Sequence, residues 1–515
     1  MPQSQVIEAP LATPGAAQPR KRAYYLLVFF FLLETLFVMH LRVLGLPFFW
    51  DEHGQFIPTA LDLMHSGSWI AHSTVPNVHP PGVEAYLVLW YKLLGFSIPV
   101  TRLAMLLLGG LGLFVTFLLG LELGGSKDTS AAFAASLFLI ASPLFYTQSM
   151  MAQLDMPAML FTLVALLFFL RKNYPAACAA CFALVLIKET GVLVPLIFCA
   201  VLLFRRDRRR AVYFVLPVVG LFGWLFCLHN CTGYWLGNPG FAHYNVAYAL
   251  HPVRVGMSFV RRIYYLFFAE FRWMGTLVLL LVARRARAFK KEGWGIAIAI
   301  AVANTVLVCF LGGAELERYL LPVLPIFYIA VGVALSYVRP RLRVAAASAL
   351  VVGLLANLFW NPPYPFPYED NYAMVDFVRL QQLAAAFAER NLPNRTIATA
   401  WPYTAALESP DYGFVEHKLK VVETNDFHLS SIRAVPASDF DVLITYTRTW
   451  APQQGVISIP IVRRFLMQFY EFQPQVTSAD CAKLGLIKAM SWNRRGQEIT
   501  IYVRQGTPGG GGVAL

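Results

Sequence analysis

Apolar runs close to bilayer-spanning length recur from residue 23 to about residue 360, and no other feature limits the possible folds so strongly. A helix needs roughly 20 apolar residues to cross the hydrocarbon core, and in lipid only helices and closed barrels satisfy every backbone polar group. Such runs fall near 23–44, 98–122, 131–147, 156–171, 174–188, 191–204, 211–228, 265–283, 293–312, 318–338 and 343–360. They predict about eleven transmembrane helices. Only 14% of the 515 residues are charged, against roughly 25% in soluble domains, so a wholly soluble fold is excluded.

The net charge of +13 is not spread over a surface. It sits in short loops: "RKR" at 20–22, "RKN" at 171–173, "RRDRRR" at 205–210, "RRARAFKK" at 284–291 and "RPRLR" at 339–343. Short basic loops between spans mark the cytosolic side. They also exclude a nucleic-acid partner, because no basic face with interleaved aromatics accompanies them. The segment 82–96 carries Glu84 and Lys92 and is short for a span, which suits a helix lying in the interface. That placement leaves every basic cluster on the cytosolic side, whereas a span there would reverse all later loops.

Three regions follow. Residues 1–22 are polar and proline-rich and read as a disordered cytosolic tail. Residues 23–360 form the transmembrane module. Residues 361–515 leave through the stiff "NPPYPFPYED" into a soluble, extracytoplasmic α/β domain with a flexible "GTPGGGG" end. There "DFVRLQQLAAAFAERNLP" has helical periodicity, and "TIATAW", "KLKVVET", "FDVLITY", "RFLMQFYEF", "KLGLIKA" and "EITIYVR" read as strands. Seven cysteines give no disulfide framework, and "CAAC" at 178–181 reads as small-residue helix packing.

With this topology, ionisable residues gather at the outer ends of spans, where charge is costly unless paired or wet. Asp51 and Glu52 follow the first span in "WDEHG", and His79 stands in "NVHPPG". Asp155 opens the fourth span, Lys188 lies between the fifth and sixth, and Arg318 opens the tenth after Glu315 and Glu317. Arg261 and Arg262 lie in the outer loop 229–264. Each has a purely structural alternative. Asp51 and Asp155 suit helix N-caps, the latter with Pro157 in the first turn. Lys188 suits a snorkelling lysine, Arg318 a partner of Glu315 or Glu317, and His79 a turn residue.

As a set, these residues match transfer from a membrane-bound phosphate ester. Lys or Arg stabilises the departing lipid phosphate, one carboxylate takes the proton of the attacking group, and another supports a transition state with oxocarbenium character. The competing class is a transporter or flippase of a lipid-linked sugar. It would be expected to have midplane charges and related halves, and here the charges sit at one surface without an internal repeat.

"WDEHGQF…LMHSGSWI…HPPGVEAYLVLWYKLLG" resembles the first outer loop of the GT-C glycosyltransferases, in the group of protein O-mannosyltransferases and lipid A aminoarabinose transferases. "SPLFYTQSMMAQLDMPAMLFTLVALLFFLRK", "LIKETGVLVPL" and "ERYLLPVLPIF" are similar to the later motifs of that group in the same order, covering about 23–340. The resemblance implies a multi-pass bacterial inner-membrane enzyme of GT-C type with its C-terminal domain periplasmic. The donor would be a polyprenyl-phosphate sugar, transfer would be inverting, and the acceptor a lipid, glycan or protein. It implies Asp51 as catalytic carboxylate with Glu52 in support, Asp155 as second acid, and Lys188 and Arg318 on the lipid phosphate. No cofactor is expected, and a metal-free mechanism is favoured over a divalent ion held by Asp51, Glu52 and Asp155. His79 stands where the aminoarabinose transferases carry Lys before Pro-Pro. The C-terminal segment does not resemble the β-trefoil insert of the eukaryotic mannosyltransferases. The aromatic loop "CTGYWLGNPGFAHYNVAYALHP" is expected to line part of the cleft.

Overall fold

The computed structural model describes residues 17–125, 129–282, 284–448 and 455–505. Most of the expected N-terminal tail and the "GTPGGGG" end lie outside the described residues. The first helix, Ala17–His40, starts within the segment expected to be disordered.

The membrane module is a helical bundle centred on Ile98–Gly124, the longest helix. Ser97 caps its start by accepting from the Val100 N–H, and Gly125 ends it at φ +99°. Glycine lets this helix serve as the hub. A Cβ on Gly120 would lie 2.8 Å from the Ala132 Cα, and one on Gly110 2.5 Å from Leu33 Cδ1. Small residues thus bring helices Ala17–His40 and Thr129–Ala141 into close contact with it.

Among the described residues, four helices are long and apolar enough to cross a membrane: Ala23–Val43, Ile98–Gly124, Arg208–Thr232 and Glu292–Phe310. A fifth candidate is a bent pair, Pro252–Phe267 with Arg272–Val282, turned by 81°. The expected spans near 131–147, 156–171, 174–188, 191–204 and 318–338 appear as shorter apolar helices, and the last, 343–360, falls on the helix Pro340–Asn357, which is not among the candidates. Local chain breaks explain several of them. Ser142-Pro143 splits 131–147, a 3₁₀ turn at Glu189–Val192 precedes Leu193–Phe204, and another at Glu317–Leu320 precedes Leu324–Leu335.

The C-terminal domain carries a five-stranded mixed sheet of order β2-β1-β3-β5-β4, with β1 Thr396–Ala400, β2 Lys420–Thr424, β3 Val442–Tyr446, β4 Leu486–Arg494 and β5 Gln497–Arg504. The first three strands run parallel, and β5 lies antiparallel to β3 and β4. "KLGLIKA" begins as the end of helix Ser478–Lys483 and becomes β4 only at Leu486. The strand expected in "RFLMQFYEF" is instead the helix Pro460–Phe469. Its apolar residues at 461, 462, 465, 466 and 469 follow a helical repeat, and Pro460 suits a first turn.

This domain packs directly on the "WDEHG" segment. The Trp50 ring lies 5.7 Å from Phe377 and 6.4 Å from both Trp401 and Tyr446. Gly54 faces Trp401 so closely that a Cβ would sit 2.5 Å from its Cζ2.

Candidate active site

Adjacent acids diverge where the chain leaves the first helix. Trp50 is held at φ 39°, a left-handed conformation that a bulky residue keeps only when its surroundings fix it. The aromatic contacts from the C-terminal domain supply that fixing. The next residues, Glu52–Phe56, wind as a π turn, a form frequent at functional sites. Asp51 makes no side-chain cap and instead lines a cavity of about 1270 Å³. Glu52 points into the protein and is fully buried. Its Oε1 accepts from Arg102 Nη1 at 2.5 Å and from the Ala152 N–H at 2.7 Å, while Oε2 accepts from the Phe49 N–H at 2.8 Å. Glu52 therefore does not reach the cavity. The expected catalytic support reduces to holding Asp51's neighbourhood in place, because both oxygens of the carboxylate are bonded inside the bundle. His53 is buried beside it, and loss of solvation lowers its imidazole to about 4.

The hub of the cavity is Arg318. Its Nη2 donates to Asp51 Oδ2 at 2.6 Å, and its Nη1 donates to Glu369 Oε2 at 3.0 Å. Its Nε lies 3.2 Å from Asp155 Oδ2. Neither Glu315 nor Glu317 is its partner; those acids face Arg261, whose Nε and Nη2 bond Glu317 at 2.5 and 2.9 Å. Asp155 is not an N-cap either. Its other oxygen accepts from Lys188 Nζ at 2.5 Å, so the lysine is paired and not snorkelling. The lysine ammonium also stands 4.5 Å from the centre of the Tyr319 ring.

Glu369 completes the cluster. It is buried, and the loss of solvation pushes its carboxyl up to about 7 against the opposing pull of Arg318. When it holds its proton, two cations face the two remaining carboxylates and the cluster is balanced. Asp51, Asp155, Lys188, Arg318 and Glu369 all line the same cavity.

The other expected residues divide. His79 lines the cavity, with Nδ1 2.8 Å from Glu189 Oε2. Arg261 lines it too. Arg262 does not: it is buried, donates to the Leu316 carbonyl at 2.7 Å and lies 5.8 Å from the Tyr319 ring. Successive helical residues point about 100° apart, so only one of the two arginines faces inward, and Arg262 braces the turn that carries Arg318. The aromatic loop contributes Phe241, Tyr244 and Tyr248 to the wall, and the C-terminal domain contributes Trp401, His428 and Arg448.

Two participants escaped sequence reasoning. Arg102 sat inside an expected span, where any charge is a signal. Glu369 follows the proline-rich exit, an acid just past a span in the same position as Asp51. Among the described residues, no group of three or more His, Cys, Asp or Glu side chains is arranged to hold a metal ion. The cavity acids Asp51, Asp155 and Glu369 instead point at a guanidinium.

No protein-family model matches the chain, and no curated protein matches it. Solved structures do. ArnT from Cupriavidus metallidurans in the apo state superposes with a TM-score of 0.57 at 15% identity, covering 94% of this chain and 98% of that one. The same protein bound to undecaprenyl phosphate gives 0.55 at 16% identity over the same shares. The fold is the GT-C fold. A further GT-C structure, the archaeal oligosaccharyltransferase AglB from Archaeoglobus fulgidus in complex with an inhibitory peptide and a dolichol-phosphate, gives 0.53 at 11% identity, covering 82% of this chain and 69% of that one. The GT-C likeness to ArnT runs through nearly the whole chain, so it takes in the C-terminal domain as well as the bundle.

Proposed function

We propose that this protein transfers a sugar from a polyprenyl-phosphate donor to a lipid, glycan or protein acceptor at the extracytoplasmic membrane surface. One observation carries the reading: Arg318 and Lys188 converge with Asp51 and Asp155 on a large cavity in a GT-C fold. A structure of that fold has been solved with undecaprenyl phosphate bound.

In the proposed reaction Asp51 accepts the proton of the acceptor hydroxyl or amine as it attacks the anomeric carbon. The bond from that carbon to the phosphate oxygen breaks, inverting the centre, and polyprenyl phosphate leaves with the electron pair. Arg318 and Lys188 receive the charge that develops on it. Asp155 holds both cations in position and supports the electron-poor sugar. Because Arg318 and Lys188 already supply positive charge where a divalent ion would, the reaction is proposed to be metal-independent.

The test is transfer from a synthetic polyprenyl-phosphate sugar by the purified protein in lipid nanodiscs. The reading expects product with wild type, a large loss for Asp51→Asn, and full activity in EDTA. Wild-type-level transfer by Asp51→Asn would refute the assignment of the base. Loss in EDTA restored by Mn²⁺ or Mg²⁺ would refute metal independence.

A further inference from the structure

Among the described residues, four lysine and arginine side chains line the cavity: Lys188, Arg261, Arg318 and Arg448. Acids neutralise the first three, Asp155 beside Lys188 and Arg318, and Glu317 beside Arg261. Arg448, which follows β3, is different. Its Nη1 donates to the Asn425 carbonyl at 3.2 Å, and its guanidinium carbon stands 5.4 Å from the centre of the Trp50 ring. Among the described residues it has no ion pair, and its Nε and Nη2 have no acceptor. Residues 449–454, which lie outside the described residues, include no acid.

The acids nearest that wall are engaged elsewhere. Asp426 Oδ2 lies 2.9 Å from His428 Nδ1, and Glu471 Oε1 lies 3.4 Å from Arg254 Nη2. Glu423 on β2 is within the field of Arg448 but accepts from the Thr404 hydroxyl at 3.4 Å. The contact with Trp50 is a cation on a ring face, and it leaves one N–H edge of the fork free. Such an edge grips a carboxylate or phosphate through two parallel bonds. The guanidinium is also near the proposed base. Trp50 directly precedes Asp51, and Tyr244 feels both charges: burial pushes its phenol up to about 12, with Arg448 pulling against the shift and Asp51 adding to it. In the reaction proposed above, the donor phosphate has Arg318 and Lys188 from the bundle. A cation supplied by the C-terminal domain is left for the other substrate.

We propose that Arg448 holds the acceptor, and that the acceptor carries one negative charge beside its hydroxyls, as a sugar carboxylate or a phosphodiester. One unpaired guanidinium balances a monoanion; a phosphomonoester dianion would leave charge uncompensated in a partly enclosed site. Arg448 then acts as a specificity residue, drawing the anion to the C-terminal wall and turning the neighbouring hydroxyl toward Asp51. That the bound anion is the acceptor rests on the transfer proposed above. That Arg448 binds an anion does not.

The experiment titrates the full chain, in phosphatidylcholine nanodiscs without donor, with three soluble probes followed by saturation-transfer NMR. Methyl glucuronide carries a carboxylate, glycerophosphoglycerol a phosphodiester, and methyl glucoside no charge. At least one anionic probe should bind about tenfold or more tighter than methyl glucoside, the worth of one charge-assisted contact, and the one that does so names the anion. Arg448→Gln and Arg448→Met, the second keeping an apolar stem on Trp50, should abolish the preference, and Arg448→Lys should keep part of it. The thermal midpoint of each variant checks its folding. Equal binding of the three probes by wild type overturns the proposal, as does a preference that survives both charge-removing variants. An equal loss of undecaprenyl phosphate binding in those variants also overturns it, by placing Arg448 on the donor. Failure of the transfer reading looks different: no product forms from any donor, while the Arg448-dependent preference remains.

Discussion

Asp51 and Glu52 are neighbours in the chain, yet the structure assigns them opposite consequences when each is replaced by its amide. Glu52 belongs to a pair in which both side chains are essentially inaccessible, and it accepts three hydrogen bonds, from Arg102, Phe49 and Ala152. Glu52→Gln keeps the shape but removes the charge that compensates Arg102. It also turns one acceptor oxygen into a donor facing N–H groups. Breaking a buried pair from one side costs about 3–5 kcal/mol. At roughly 2 °C per kcal/mol for a large chain, the thermal midpoint should fall by ~5–10 °C. Asp51→Asn loses one contact with Arg318, which keeps Glu369 and Asp155. The Asp51 side chain borders an open cavity, so its loss should change stability by no more than about 1 kcal/mol. Its loss as base should instead lower transfer by about 10²–10⁴. Thermal unfolding in detergent, read by static light scattering, and transfer in nanodiscs measure the two quantities separately. A Glu52→Gln protein as stable as wild type but inactive would refute the division, because it would place Glu52 at the substrate.

Other expectations follow from the same cluster. Lys188→Ala should raise the KM for the polyprenyl-phosphate donor about 10–100-fold, the equivalent of losing one charge-assisted hydrogen bond of about 1.5–3 kcal/mol, with Lys188→Arg intermediate. Glu369 carries a folded-state value of about 7 above its ordinary value, so the native state retains a proton that the unfolded chain releases. Its contribution to stability is present at low pH and is lost as pH rises toward 7. Ionised Glu369 also competes for Arg318. The donor's phosphodiester does not titrate in this range, so donor KM should rise with pH through about 7 in wild type and stay flat in Glu369→Gln. Gly54→Ala should cost about 1–3 kcal/mol by forcing Trp401 away and should expose the domain junction to limited proteolysis. Unchanged proteolysis and stability would show that the junction can give.

The sequence was legible where its physics is local or where charge stands out against lipid. Apolar runs placed the bundle, the alternation in "FDVLITY" and "EITIYVR" placed β3 and β5, and isolated charges at span ends brought Asp51, Asp155, Lys188 and Arg318 to one cavity. It was illegible where a third dimension decides. Nothing in "DE" says that the first acid faces the cavity and the second faces Arg102, because that split depends on the π turn and on which helices close around it. Adjacency in "ELER" misleads in the same way: Arg318 lies next to Glu317 but bonds acids 267 and 51 residues away. "RFLMQFYEF" was ambiguous because a continuous apolar run fits a strand as well as a helix.

The two adjacent acids differ in what holds them. Glu52 accepts from three donors and is committed to the bundle. Asp51 is held by a single guanidinium that two other acids also claim. In the reaction proposed above, an anionic substrate would draw Arg318 toward itself and leave the Asp51 carboxylate free to accept a proton. Trp50, just before Asp51, has its left-handed backbone packed against Phe377, Trp401 and Tyr446 from the C-terminal domain. The C-terminal domain thus contacts the cavity's rim through one aromatic residue that precedes the proposed base.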